Sequence, residues 1–434
     1  MVITTQGGSA AGGVNNATRW GQIIFGVICM MAAANVQYAW TLFVPEIQAQ
    51  FGWQRAAIQA TFTIFVLVQT WLTPVWGYLI DKYGPRLMVA GGGFFVAVSW
   101  IIDSYAASLF QFYVGAAIGG VGVGAVYATC INNAIKWFPD RRGLAVGLTA
   151  GGFGAGSALT IIPIANVIAS SGYQTAFFWF GLAQGLVIML ASTRLRAPIE
   201  GETRHSDTLS QSRHNYTLGE ALRTPLFYLL FTMFVLTVTG GLMAVSQLGP
   251  LAEDVGVKDA ELSLGFITMA ALPFALFLDR IMNGMSRPLF GWISDHIGRE
   301  NTMFIAFGLE GIGIIMLANF AHIPWAFVLL SGLVFFAWGE VYSLFSATAA
   351  DAFGTKHIGS IYGVLYCAKG VAALMVPVAN LVMEATGTWT TVLYTVAFMD
   401  LMAATCAMFL LKPMLRRHNA ATDALSVRAS ASVA

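Results

Sequence analysis

Apolar residues run along this chain in long blocks separated by short polar stretches, and the length of the blocks points to a bilayer as their solvent. At about 1.5 Å of rise per residue, a helix needs about 20 apolar residues to cross a hydrocarbon core. Blocks of that kind fall at 21–43, 57–80, 87–103, 108–134, 143–169, 173–192, 226–248, 261–292, 302–319, 323–349, 358–383 and 389–411. They predict twelve spanning helices, of which the third and ninth are short. The longest polar stretch, Arg194 to Thr224, separates the sixth block from the seventh. It divides the chain into a six-helix half at 1–193, a linker at 194–225 and a second six-helix half at 226–412. A polar tail at 413–434 is expected to be disordered.

Charge sharpens this picture. Lys82, Arg86, Lys136, Arg141, Arg142, Arg194, Arg223, Arg299, Lys356 and Lys412 all fall in loops on one side of a twelve-helix arrangement, whereas the other side holds only Arg55 and Lys258. Short cytoplasmic loops are rich in Lys and Arg, so both termini are expected in the cytoplasm. The whole chain of 434 residues is 57% hydrophobic and only 10% charged, against about 25% charged in soluble domains. A net charge of +1 argues against nucleic acid as a partner. Cys29, Cys130, Cys367 and Cys406 lie inside apolar blocks without CxxC spacing and read as small core residues. No cleavable signal is evident, since residues 1–18 lack a basic start and the first block can span.

The halves echo each other. Gly77-Tyr-Leu-Ile-Asp81-Lys82-Tyr-Gly84-Pro-Arg86 follows the second block and Gly291-Trp-Ile-Ser-Asp295-His-Ile-Gly298-Arg299 follows the eighth. Gly77/Gly291, Asp81/Asp295 and Gly84/Gly298 are each 214 residues apart, and Tyr127/Tyr342 and Gly147/Gly363 nearly so. Duplication of this kind fits a parallel repeat with a site between the halves at mid-depth. Glycines at 119, 120, 122 and 124, and at 147, 151, 152, 154 and 156, sit within apolar helices and read as close-packing faces. They do not form a phosphate loop, because no GxxxxGK[ST] is present. No cofactor or metal is expected.

Two full cations lie inside the blocks. Arg287 precedes Asp295 by eight residues, placing it about 12 Å inside the basic surface, and Lys369 lies about 16 Å inside it. Both are therefore near the middle of a core about 30 Å thick. A cation at that depth costs about 2.5–3.5 kcal/mol on insertion scales, so it requires a partner. Few acids are placed to serve, and an anion brought from water is the natural candidate. Arg offers a planar fork suited to a carboxylate, and Lys a compact point charge. At the repeat offset Arg287 matches Thr73 and Lys369 matches Phe153, so the first half brings neutral groups where the second brings charge.

The duplicated G-x-x-x-D loop in a twelve-helix chain is similar to the signature of the major facilitator superfamily. Gln37-Tyr38-Ala-Trp40, Asn133-Ala-Ile-Lys-Trp137-Phe-Pro139-Asp140-Arg-Arg142-Gly143, Asn283-Gly-Met-Ser-Arg287-Pro288, Trp338-Gly-Glu-Val-Tyr342 and Ala368-Lys369 together resemble the oxalate/formate antiporters within it. The resemblance implies an all-α polytopic membrane protein with two pseudo-symmetric six-helix halves. It also implies exchange of external oxalate for internal formate across a bacterial inner membrane. Arg287 and Lys369 would be the two essential cations. Tyr38, Tyr127, Trp338, Tyr342 and Tyr366 would form an aromatic cage, and Gln37, Gln59 and Asn283 its polar contacts. Asp81, Arg86, Asp295 and Arg299 would form the conformational motif of the repeated loops. A monomer is expected, with small carboxylates and lipid as its partners.

Three charged residues depart from the family pattern. Arg280 shares a helix face with Asn283 and Arg287, and either guides the anion or pairs with Asp279. Glu340 sits between Trp338 and Tyr342, where an ionised carboxylate would cancel one cation. These departures leave a proton-coupled symporter of another small carboxylate open beside the exchanger. Glu310, Asp400 and Asp103 carry no assigned role. A membrane enzyme or sensor lacks any supporting motif, because no metal pair, hydrolase triad or nucleotide loop occurs.

Overall fold

Each apolar block becomes helix, yet several of those helices break partway along. The computed structural model describes residues 16–199, 202, 214–263, 265 and 268–420. In the first span α1 (Asn16–Tyr38) and α2 (Trp40–Phe51) part at Ala39. In the second, α3 (Arg55–Trp71) ends at Leu72. The next helix, α4 (Thr73–Ser104), carries Pro74 in its first turn, where a missing N–H costs nothing. It continues through the first repeated loop into the third span. The rest of this half is α5 (Leu109–Trp137), α6 (Arg142–Gly156), a 3-10 turn at Ser157–Leu159, α7 (Ile161–Ser171) and α8 (Tyr173–Ser192).

The second half begins with a short α9 (Leu218–Ala221) and α10 (Pro225–Asp254), the latter capped by the Thr224 hydroxyl. There follow α11 (Ala271–Ile297), α12 (Arg299–Phe320), α13 (Pro324–Gly339) and α14 (Val341–Phe353), the last two parted at Glu340. Next, α15 (Ile358–Ala373) and α16 (Met375–Thr386) part at Leu374, and α17 (Trp389–Cys406) passes through a π turn at Ala407–Leu411. Among the described residues ten stretches are long and apolar enough to cross a membrane. Neither α11 nor α15 is among them, and these are the helices that carry Arg287 and Lys369.

Two expectations are corrected. The eighth helix does not begin at 261. Residues Glu261–Ser263 (β1) and Thr268–Ala270 (β2) form an antiparallel hairpin, with Leu262 opposite Met269. Its apolar residues look like the start of a span, but Gly265 adopts φ +85°, which turns the chain back, and the β-branched Thr268 suits a strand. Pro273 then lies in the first turn of α11. The tail also starts later than 413, because helix continues to residue 420. There the His418 ring stacks on Tyr216 at 5.1 Å and a ring nitrogen lies 3.1 Å from the Ala352 carbonyl. Residues 200, 201 and 203–213 of the polar linker, including His205 and Arg213, and the tail beyond 420 lie outside the described residues.

The repeat is visible in the backbone. Gly84 and Gly298, equivalent positions in the two loops, adopt φ +74° and +92° with extended ψ, a conformation that L residues rarely adopt. The halves meet along two seams related by the same repeat, α6 against α11 and α15 against α4. A Cβ on Gly143 of α6 would lie 2.5 Å from the Gly291 carbonyl oxygen, and one on Gly147 would lie 2.5 Å from that of Arg287. Across the other seam, a Cβ on Gly77 would lie 2.7 Å from the Gly359 carbonyl carbon, and one on Gly363 2.8 Å from the Pro74 Cα. Bare glycine surfaces thus let the backbones touch at matched heights on both sides of the site.

Candidate functional site

Arg287 comes from the middle of α11, immediately before Pro288. Its Nη1 donates to the Ala150 carbonyl of α6 at 2.7 Å and its Nη2 to Asn283 Oδ1, one turn earlier, at 3.0 Å. Lys369 comes from α15. Its Nζ donates to Gln37 Oε1 at 3.0 Å, Gln69 Oε1 at 3.1 Å and Tyr366 Oη at 3.4 Å. Exposure is 0% for Arg287 and 1% for Lys369. Among the described residues no carboxylate forms an ion pair with either. Neutral oxygens orient both charges without cancelling them. Both face one ring, with the Arg287 guanidinium 5.1 Å and the Lys369 ammonium 5.5 Å from the centre of Tyr342. The two cations therefore flank one ring at the interface between the halves.

Aromatic side chains surround the two cations. Tyr127 stacks on Tyr366 at 5.1 Å, Tyr366 lies 5.9 Å from Tyr342, and Trp338 meets Tyr342 edge-on at 5.6 Å. Phe153 packs against Tyr38 and Tyr127 at 5.5 and 5.4 Å. Trp338 lies directly over Gly241, where any side chain would collide with the indole. Arg287 Nε, Tyr127 Oη, Tyr342 Oη, Trp338 Nε1, Gln37 Nε2 and Gln69 Nε2 are buried with no hydrogen-bond partner among the described residues. Leaving a buried donor unsatisfied costs about 1–3 kcal/mol. Several such donors around two unpaired cations form a wall suited to a group that only accepts, and an ionised carboxylate is such a group.

Most of the residues singled out from the sequence meet here: Arg287, Lys369, Gln37, Tyr38, Tyr127, Asn283, Trp338, Tyr342 and Tyr366. Gln59 does not. It is half-buried on α3, ten residues and so about 15 Å along the chain from Gln69, which takes the place at Lys369. Gln69 was missed, although the repeat points to it: it lies 214 residues before Asn283, and each of the two amides accepts from one cation. The helix breaks at Ala39, Leu72 and Glu340 flank the same residues. Interrupted helices at mid-depth are a recurrent way to build a transport site.

The remaining acids and cations lie around this cage and beyond it. Arg280 is buried, with its guanidinium 4.5 Å from the Tyr38 ring and 4.9 Å from Phe335. It forms no salt bridge with Asp279 among the described residues, in keeping with neighbouring residues diverging around a helix. Glu340 is fully buried at the α13–α14 break, and its side-chain oxygens have no partner among the described residues. Glu310 and Asp400, which the sequence left without a role, lie within helices. Both are fully buried within α12 and α17, where their carboxylates converge on Gly240 at 3.1 and 2.7 Å from where its Cβ would be.

In the second repeated loop, Asp295 Oδ1 pairs with Arg299 at 2.7 Å and Oδ2 accepts from the Leu144 amide at 3.3 Å. An acid thus caps the N-terminus of α6 across the seam, where the helix dipole favours it. Asp351 pairs with both Arg299, at 2.9 Å, and Arg142 of the other half, at 3.2 Å. In the first loop Arg86 is exposed, and the Asp81 side chain lies outside the described ones.

The sequence profile of the Major Facilitator Superfamily matches residues 23–287 and 280–432. The chain is 32% identical over 413 residues, 95% of each chain, to the oxalate:formate antiporter of Oxalobacter formigenes. It is 24% identical over 360 residues, 82% of this chain and 86% of the relative, to the uncharacterized MFS-type transporter YhjX of Escherichia coli (strain K12). Its fold is similar to that of the proton:xylose symporter XylE, with a TM-score of 0.69 at 14% identity over 92% of this chain and 96% of that one.

Proposed function

This chain belongs to the major facilitator superfamily, and on that premise we propose that it exchanges small carboxylates, oxalate inward for formate outward. It is a multi-pass membrane transporter and not an enzyme. The observation that carries the substrate class is the pair of buried cations, Arg287 and Lys369, facing Tyr342 without a carboxylate partner among the described residues. The substrate pair follows the relative at 32% identity, whose name is oxalate:formate antiporter. The setting is a bacterial inner membrane with both termini cytoplasmic, as the loop cations imply.

In the proposed cycle the Arg287 fork and the Lys369 ammonium each take one carboxylate of a dianion, while Tyr127 and Tyr342 donate their hydroxyl protons. The halves then rock about the two glycine seams. A return without an anion would bury two uncompensated charges together, at several kcal/mol each before relaxation. A monoanion such as formate offsets part of that cost, so exchange is the favoured cycle. Each turn that swaps a dianion for a monoanion moves net charge.

A second reading, proton-coupled symport of a small carboxylate, is favoured by Glu340, a buried and unpartnered acid at a helix break beside the cage. Proteoliposomes holding the full chain separate the two. Oxalate uptake that needs formate inside supports exchange. Uptake into formate-free vesicles driven by an inward pH gradient supports symport and overturns exchange.

A further inference from the structure

Two cavities lie beside the second seam. On α5, Asn132 and Lys136 are one turn apart and share a helix face. A cavity of about 110 Å³ opens there, lined by Asn132, Asn133, Lys136, Gly84 and Ala197. Asn132 also lines a second void of about 20 Å³, together with Thr73, Gly359 and Tyr362, enough for one water. The Tyr362 ring lies 5.7 Å from that of Tyr366, whose hydroxyl is 3.4 Å from Lys369 Nζ. Asn132 thus lines both spaces, and Tyr362, which lines the smaller one, lies against Tyr366 beside Lys369.

Asn132 stands at the junction. It is 5% exposed, and neither atom of its amide has a hydrogen-bond partner among the described residues. Its neighbour Asn133, by contrast, donates to Gln22 at 3.4 Å. A buried amide without partners costs about 1–3 kcal/mol, so its retention in a cavity wall points to a polar visitor. Gly359 leaves room for it, since a Cβ there would sit 3.2 Å from Asn132 Nδ2.

We propose that the α4–α5–α15 cleft is the cytoplasmic portal for the transported carboxylate, with the Asn132 amide as the staging group between the Lys136 vestibule and the site. The anion passes Lys136, is met by the Asn132 NH₂, and moves on along Tyr362 and Tyr366 to Lys369 once Gly77 and Gly359 part. This rests on the carboxylate reading above and on the basic face being cytoplasmic.

The test compares oxalate exchange through the two faces of the full chain, in inside-out and right-side-out vesicles loaded with formate. Asn132→Asp keeps shape but places a negative charge in the passage, and Asn132→Leu removes the amide. Asn132→Asp is expected to lower kcat/KM at the basic face by about tenfold or more, through like-charge repulsion, and to change the opposite face by less than about twofold. Asn132→Leu should lower it at the basic face by a smaller factor. Equal loss at both faces, or no loss at either, overturns the portal. Wild-type protein that exchanges oxalate at neither face overturns the carboxylate reading instead, and the portal with it.

Discussion

The two seams between the halves are built on the same glycine pattern but finished differently. Along α6–α11, Asp351 joins Arg142 to Arg299, and Asp295 bonds both Arg299 and the Leu144 amide. Gly143 and Gly291 touch there without a gap. At the repeat-related place along α4–α15, Gly77 and Gly359 also touch, but beside them lie a cavity and an unpaired amide, Asn132. One seam is bridged by buried charge, and the other is the proposed passage. Each delivers one cation to the site, Arg287 from the bridged seam and Lys369 from the passage. The duplicated scaffold is thus finished with different polar residues on its two seams.

The largest expected difference lies in the charges of the bridged seam. Asp351→Asn leaves two buried guanidiniums short of their acid, and breaking a buried pair costs about 3–5 kcal/mol. Thermal unfolding of the purified protein should drop by several degrees and oxalate exchange should fall steeply. Asn132→Ala in the other seam should not lower the unfolding temperature, since it removes an amide without partners among the described residues. Equal losses would erase the distinction between the seams.

Next come the glycines. Gly143 and Gly359 are repeat equivalents, 216 residues apart. A Cβ at 143 meets the Gly291 carbonyl oxygen at 2.5 Å, whereas one at 359 meets the Asn132 side chain at 3.2 Å and the Gly77 Cα at 3.4 Å. Gly143→Ala should therefore cut exchange by about tenfold or more, and Gly359→Ala by a few-fold at most, when rates are read in proteoliposomes. The reverse order would show that the passage closes more tightly than the bridged seam.

The smallest effect concerns the linker at the mouth of the passage, where Ala197 lines the vestibule. Next to it the Arg196 guanidinium holds Glu202 through paired hydrogen bonds at 2.7 and 2.8 Å, and the Ile199 amide adds a third at 2.9 Å. The Arg196 contact pulls the Glu202 carboxyl down from 4.5 to about 2. A depressed carboxyl supports the folded linker above its unfolded value and loses that support as pH falls from 4.5 toward 2. Glu202→Gln should modestly speed amide exchange at residues 196–202 at pH 7, and the difference from wild type should vanish near pH 2. A difference that persists at pH 2 would remove the carboxylate clasp.

The charged part of the site was readable because a cation inside an apolar block has no cheap explanation. Arg287 and Lys369 stood out for that reason, and the duplicated loops supplied the halves and the depth. Gln69 did not stand out. Its role depends on a partner 300 residues away, and only pairing it with Asn283 through the repeat reveals it. Gln59 is equally polar but points elsewhere, because residue type alone does not say which face of α3 meets α15. The breaks at Ala39 and Glu340 carry no proline and were invisible in the pattern. The hairpin at 261–270 was lost because alternating and helical apolar patterns overlap in short runs. Glu310 and Asp400 looked uninformative because their convergence on Gly240 brings three separate helices together.

Equilibrium binding of radiolabelled oxalate to purified wild-type, Arg287→Gln and Lys369→Gln proteins tests the shared site most directly. Wild type should bind, and each variant should lose affinity by a hundredfold or more, about 2.7 kcal/mol, while remaining folded and monodisperse. Oxalate bound with wild-type affinity by either folded variant would contradict a site made by both cations.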